Sequence, residues 1–368
     1  MPKISDPLRI GNCQLEHRIV MAPLTRLRSD EEHIPLPMVT EYYAQRASVP
    51  GTMLITEATF VSFRHSGRDA NAPGIYTKEQ IAEWKQITDA VHARGSFIWL
   101  QIWALGRAAR AHALAAKGLE MISSSATPLT PESPVPRPMT EEEIWQCIGD
   151  FGSAAKNAVE AGFDGVEVHG ANGYMIDQFT QDNCNKRTDA WGGSVEKRAR
   201  FCIEVTKSCI EAIGVDRVGV RLAPWNTFQG MRMADPIPQF TYLIKELTKL
   251  KPAFLHLVES RVAGNYDIEA SETLQFAVDA WGHTNPLLVA GGYKPDTAQK
   301  ALETEYKDYD VAIVFGRFFI SNPDLPYRIL HGLPIAHYNR DTFYTAKSTE
   351  GYTDYPFIEG FKVPTIKA

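Results

Sequence analysis

The stretch GVEVHGANGYMIDQF, residues 165–179, decides how the rest of the chain is read. Its first half, Gly165-Val166-Glu167-Val168, is a short apolar run of the kind that forms a strand buried on both faces. At its end come His169, Asn172 and Tyr174. Two of these, His169 and Asn172, can donate to a single acceptor, and Tyr174 adds an acidic hydroxyl close by. A strand that stops in such a cluster is a place for chemistry. Taken alone, the trio reads more readily as satisfying loop backbone, where most side-chain hydrogen bonds go, and the rest of the chain has to shift that balance.

On either side of this stretch, apolar runs alternate with amphipathic helical windows. Upstream runs are Ile19-Val20-Met21, Met53-Leu54-Ile55-Thr56 and Phe97-Ile98-Trp99-Leu100. Downstream runs are Val218-Gly219-Val220-Arg221-Leu222, Phe254-Leu255-His256-Leu257-Val258, Leu287-Leu288-Val289-Ala290 and Val311-Ala312-Ile313-Val314-Phe315. Helices are expected near 37–47, 78–94, 195–213 and 238–249, the second carrying Ile81, Trp84, Ile87, Thr88 and Val91 at helical spacing. Thr140 followed by Glu143 marks another helix start with a capping box. Residues 8–18 read as a hairpin turning at Gly11-Asn12, and 108–139 as a proline-bearing connection.

Strands each followed by a helix or a helix-bearing connection predict an α/β fold, a (β/α)8 TIM barrel. It carries an N-terminal hairpin and an extended connection between strands 3 and 4. A doubly wound sheet is the alternative, but no Gly-x-Gly-x-x-Gly follows the first strand. No repeat or linker divides the chain, so 1–368 is expected to be one domain.

The 368 residues are 44% hydrophobic and 22% charged, an ordinary globular composition. A net charge of −6 argues against a nucleic-acid or anionic-membrane partner. No apolar run approaches the roughly 18 residues of a membrane helix. The N-terminal MPKISDPLRI lacks a signal-peptide core, and the C-terminal IKA is not a peroxisomal address. Cys13, Cys147, Cys184, Cys202 and Cys209 form no Cys-x-x-Cys pair, which disfavours a metal or iron–sulfur site. A cytoplasmic location is the natural expectation.

In a barrel the site forms at the carboxyl ends of the strands. There the chain offers Pro23-Leu24-Thr25, Glu57-Ala58-Thr59, Gln101-Ile102-Trp103, Arg221, Glu259, Gly291-Gly292-Tyr293 and Gly316-Arg317. Glycines after strands 7 and 8 let backbone amides approach an anion, where barrels often bind phosphate, and Arg317 adds a planar cation. Arg221 brings a charge that needs an anionic partner or a ligand. Gln101 and Thr25 can read the edge of a heteroaromatic ring. The pattern suits a flat, phosphate-bearing cofactor across the barrel top with an acceptor-bearing substrate above it. No lysine ends a strand, and Glu57, His169 and Glu259 are too scattered for a metal-dependent lyase or aldolase.

These residues stand in recognisable company: MAPLTRLRS at 21–29, QIWALGR at 101–107, HGANGYMIDQF at 169–179, NKRTDAWGGSVEKRARF at 185–201, AGGY at 290–293, FGRFFISNPDLPYRI at 315–329 and DTFY at 341–344. By them the chain resembles, nearly end to end, the Old Yellow Enzyme family of FMN-dependent ene-reductases. Stretches such as QRASVPGTMLITEAT at 45–59 are similar to fungal members, including the ergot-alkaloid branch that reduces chanoclavine aldehyde.

The resemblance implies roles. Thr25 matches a hydroxyl beside the flavin N5/O4 edge, Gln101 the amide that reads the pyrimidine, and Arg221 the cation beside N1/O2. Gly291, Gly292, Gly316 and Arg317 match the phosphate cradle, while Pro23 and Ala58 join the cofactor set. His169 and Asn172 match the pair that binds a substrate carbonyl oxygen, Tyr174 the proton donor, and Trp103 and Tyr344 the aromatic walls of the substrate pocket. Ala58 and Gly292 depart from relatives that carry glycine and asparagine there.

The implied reaction takes hydride from NADPH, or NADH, to FMN and then to an α,β-unsaturated aldehyde or ketone. Tyr174, with an ordinary pKa of about 10, protonates the substrate α-carbon. In the ergot branch a phenylalanine at this place goes with isomerisation, so Tyr174 favours reduction. The alternatives are a family enzyme specific for one enal, acting as reductase or isomerase, and a non-catalytic flavin-binding barrel. Sequence leaves monomer and homodimer both open.

Overall fold

The computed structural model describes residues 2–67, 71–264 and 266–365. The C-terminal IKA at 366–368, read above for a targeting address, lies outside the described residues.

Eight strands run parallel. They are β1 (Ile19–Met21), β2 (Met53–Ile55), β3 (Phe97–Trp103), β4 (Gly165–Gly170), β5 (Val218–Leu222), β6 (Phe254–Val258), β7 (Leu287–Ala290) and β8 (Val311–Phe315). Each pairs with the next, and β8 pairs back onto β1, so the sheet closes. Closure removes the sheet edges that an open array would expose. The helix following each strand is, in order, α1 (Pro37–Arg46), α2 (Lys78–His92), α3 (Glu141–Glu160), α4 (Val195–Ile213), α5 (Pro236–Leu250), α6 (Gln275–Trp281), α7 (Pro295–Glu303) and α8 (Leu325–Leu330). The arrangement is the (β/α)8 barrel expected from the sequence. The capping box at the start of α3 forms, with Thr140 and Glu143 exchanging side-chain-to-backbone hydrogen bonds.

Alternation along the strands sorts the core in two. Outward positions such as Ile98, Val166, Val220 and Leu255 pack against the helices. Inward positions such as Val20, Ile55, Trp99, Phe254, Leu288 and Val314 fill the barrel together with Leu8, Ile10, Cys13 and Leu15 of the N-terminal hairpin. Gly165 and Gly219 occupy inward places where a Cβ would sit 2.4 Å from the Trp99 ring and 2.1 Å from the Phe254 ring, so they make room for those two large side chains.

The hairpin is the one predicted, with Leu8–Ile10 antiparallel to Cys13–Leu15. It forms the barrel floor. Gly11 lies against Asp216 and Ala253, and Glu16 N–H donates to Gly51 O, all next to the amino ends of strands.

Two strand ends differ from the sequence reading. β3 continues from Leu100 to Trp103, and β4 from Val168 to Gly170. Both are held by their neighbours: β4 registers His169 with Arg221 and Gly170 with Leu222, while Thr59 and Phe60 pair with Ile102 and Trp103. Gln101 and His169 are therefore inward-facing strand residues and not members of the following loops. The connection after β3 also holds more structure than expected, with a short helix at Ala111–Ala115 and a two-residue pairing of Ile122–Ser123 with Arg137–Pro138.

Gly11 tests the floor. Its φ is +52°, and a Cβ there would lie 2.0 Å from the Asp216 carbonyl oxygen. Gly11→Ala should cost about 1–3 kcal/mol of unfolding free energy in a denaturant titration. A variant as stable as the parent would contradict this account of the hairpin.

Candidate active site

At the carboxyl ends of the strands two adjoining cavities open, of about 570 and 260 Å3. The larger is lined by Pro23, Thr25, Ala58, Gln101, Trp103, His169, Asn172, Tyr174, Arg221, Arg317 and Tyr344 among others. The smaller takes in Gly291, Gly292, Gly316 and Arg317, and the two share Pro23, Asn172, Arg221 and Arg317. Every residue to which the resemblance gives a role thus borders one or the other of two adjoining cavities. A separate polar cleft of about 390 Å3, bordered by Arg9, Asp216 and His283, lies at the floor end and contains none of them.

The stretch 169–179 is shaped by its own turn. Asn172 and Gly173 both take positive φ, at 60° and 77°. Buried Asp177 holds that turn, accepting from Gly173 N–H at 2.8 Å and from Gln181 Nε2 at 2.7 Å. Burial pushes the Asp177 carboxyl up to about 6. Asn226 Nδ2 donates to Asn172 Oδ1, which fixes the amide and leaves Asn172 Nδ2 as the donor toward the cavity. The rings of His169, Trp103 and Tyr174 pack together, with Tyr174 edge-on to Trp103 at 4.6 Å and to His169 at 5.0 Å.

His169 is buried, and desolvation, reinforced by Arg221 and His256, holds its pKa well below the ordinary histidine value. The ring is neutral and can offer one N–H. Arg221 is lowered by burial, with the Glu167 carboxylate opposing the shift. His169 Nδ1 and Arg221 Nε are buried and find no partner among the described residues. Groups so placed call for a polar ligand.

The glycine corner is equally specific. Gly291 has no room for a side chain, since a Cβ would lie 2.3 Å from Glu259 Cβ, and Gly292 has φ +66°. Arg317 is not an isolated surface cation. It is held by Asp267, through Nη1 to Oδ2 at 2.9 Å and through Nη2 to Oδ1. The corner, the two unpartnered groups and the ring-edge amide of Gln101 fit a phosphate-bearing flavin.

Sequence reasoning missed what holds the mouth together. Arg26 and Arg28 follow Thr25, and both reach the C-terminal segment 342–353. Arg26 donates to Phe343 O at 3.0 Å and Gly351 O at 2.7 Å, and Arg28 to Ser348 O at 2.9 Å. Arg46 on α1 adds a bond to Tyr352 O at 3.1 Å. Arg28, Tyr352, Tyr42 and Arg46 form a column: the two tyrosine rings stack at 4.0 Å, with a guanidinium over each outer face. This column straps Phe343 and Tyr344 over the cavity. Tyr344 itself is half exposed and forms the rim. Phe228 and Tyr266, also unnoticed in the sequence, complete the wall. The three arginines in MAPLTRLRS and the first helix were visible, but nothing in their spacing pointed to carbonyl partners three hundred positions away. Among the described residues no cluster of His, Cys, Asp and Glu is arranged to hold a metal.

Removing the centre of the column tests the strap. Tyr352→Ala should cost about 3–5 kcal/mol of unfolding free energy, and limited proteolysis should then cut the C-terminal segment first. Unchanged stability and an unchanged cleavage pattern would contradict the role given to the column.

The architecture has close counterparts. The chain is 38% identical to an Old Yellow Enzyme homologue from Zymomonas mobilis, with a TM-score of 0.89 covering 97% of this chain and 100% of that one. Against Old Yellow Enzyme from a Pichia species the identity is 38% and the TM-score 0.90, over 100% and 96% of the two chains. In sequence it is 55% identical to chanoclavine-I aldehyde reductase fgaOx3 of Penicillium roqueforti, over 98% of both chains. It is 54% identical to NADP-dependent oxidoreductase lnbE of Aspergillus flavus, over 98% and 97%. It is also 52% identical to easA of Epichloe festucae var. lolii, described as a probable inactive reductase, over 96% and 95%. Residues 3–336 match the NADH:flavin oxidoreductase / NADH oxidase family, and the chain belongs to that family of FMN enzymes.

Proposed function

We propose that this flavin oxidoreductase reduces the activated carbon–carbon double bond of an α,β-unsaturated aldehyde or ketone, with NADPH as the preferred donor and NADH as a possible substitute. The observation that carries the reading is the convergence of His169 and the Asn172 amide on one cavity with Tyr174 packed beside them. A relative named for NADP dependence supports the choice of donor.

FMN in this pocket would supply the redox chemistry, carrying a hydride from the nicotinamide to the substrate. Thr25, Gln101 and Arg221 would hold its ring, with Pro23 and Ala58 against it, and Gly291, Gly292, Gly316 and Arg317 would hold its phosphate. His169 and Asn172 bind the substrate carbonyl oxygen, where charge builds as an enolate. Donors aimed at such developing charge are worth about 2.7–4 kcal/mol each. Because the His169 ring is neutral, it acts as a hydrogen-bond donor and leaves the proton transfer to Tyr174. Tyr174 then protonates the α-carbon.

The aromatic wall of Trp103, Phe228, Tyr266, Phe343 and Tyr344 suits a bulky, flat substrate, and relatives named as aldehyde reductases support an enal. Every group invoked comes from one chain, and monomer and homodimer are both compatible with this reading. We take 1–368 as a single FMN-binding barrel domain. We place it in the cytoplasm, in keeping with five buried free cysteines and with the lack, among the described residues, of a helix long and apolar enough to cross a membrane.

A relative described as a probable inactive reductase favours one second reading, a flavin-binding barrel without net reductase turnover. The half-reactions separate the two. Tyr174→Phe should leave flavin reduction by NADPH unchanged and slow the enone half-reaction by about 10²–10⁴-fold in anaerobic stopped flow. Enone reduction at the parental rate would remove Tyr174 from its role, and a parent that oxidises NADPH but reduces no enal would favour the second reading.

A further inference from the structure

Beneath the pocket the barrel is polar, where barrels are ordinarily filled by branched apolar side chains. Glu167 is fully buried, and both its oxygens are engaged: Oε1 accepts from Gln101 Nε2 at 2.7 Å, and Oε2 meets His256 Nδ1 at 2.6 Å. His256 is fully buried too, and desolvation lowers its pKa, so its ring is neutral and Nδ1–H is the donor. The cation in this layer is Arg221, whose register partners are His169 on one side and His256 on the other. Breaking a buried charge pair leaves an uncompensated ion, which keeps Glu167 and Arg221 tied energetically although no hydrogen bond joins them.

Two consequences follow for the pocket floor. One N–H of Gln101 is committed to Glu167, so the amide cannot flip and its carbonyl oxygen is left for the cavity. The Glu167 charge also offsets part of the Arg221 field. Two-electron reduction of a flavin adds negative charge, which a nearby cation favours and a carboxylate opposes.

We propose that Glu167 and His256 are positioning residues that fix the Gln101 amide, temper the charge of Arg221, and thereby set the reduction potential of FMN held above them. This rests on the reading that the pocket takes FMN. Glu167→Gln keeps the shape and removes the charge, so Arg221 acts unopposed and the potential shifts upward. His256→Leu takes one donor from the carboxylate, leaves its charge less screened, and shifts the potential downward.

The test is a spectroelectrochemical titration of the FMN-loaded full-length parent and both variants, with FMN affinity measured alongside by fluorescence quenching. Shifts of opposite sign support the relay, because general loosening of the barrel would move both variants the same way. A Glu167→Gln potential that is unchanged or lowered overturns it. Should that variant fail to fold, His256→Leu decides: a downward shift supports the relay, and an unmoved or raised potential overturns it. A colourless parent that takes up no FMN overturns the pocket reading and the relay together, whereas a yellow parent with unmoved variants overturns the relay alone.

Discussion

The closure of β8 onto β1 is the constraint on which the molecule depends. A closed sheet has an inside, and the period of two along each strand sends every second side chain there. At the floor end those positions are Trp99, Phe254 and the hairpin residues, and the interior is apolar. At the carboxyl end the same alternation delivers Gln101, His169 and Arg221 to one opening. These three residues are thus placed by register, not by loops. Loops and the C-terminal strap then add what register cannot: the Asn172 amide, the Tyr174 hydroxyl and the aromatic rim.

Buried charge is distributed with the same economy. Arg26 and Arg28 at the mouth direct most of their donors to backbone carbonyls of residues 342–351, and Arg46 adds one to Tyr352 O, which both satisfies the guanidiniums and fixes that segment. Deeper in, Glu167 takes its hydrogen bonds from Gln101 and His256, with Arg221 as the neighbouring cation. The two sets meet at the pocket. Thr25 directly precedes Arg26, and Gln101 rests on Glu167, so groups expected against a flavin are braced from outside and from below.

Much of this was legible in the sequence. The strands beginning at Val218, Phe254, Leu287 and Val311 fall where their apolar runs do, because strands buried on both faces read as continuous hydrophobic segments. That same rule fails at the top of the barrel. It ended β3 at Leu100 and β4 at Val168, where the apolar run gives way to Gln101 and His169, and inward-facing polar residues there still belong to the ladder. Glu167 was passed over for the converse reason, hidden within a run read as apolar. The two-residue spacing from Glu167 to His169, and from Gln101 to Trp103, was the available signal. The strap and the Asn226 contact were not legible, because their partners are remote in sequence and no local periodicity marks them.

The central claim is that one opening holds a flavin through Arg221 and the glycine corner, and an oxyanion through His169 and Asn172. Titrating the purified protein with a simple phenol tests both halves at once. The account predicts a yellow protein that develops a long-wavelength absorbance band as phenolate stacks on the flavin, and loses that band when His169 and Asn172 are replaced by alanine. A colourless protein that takes up no FMN, or a band that survives loss of both donors, would contradict it.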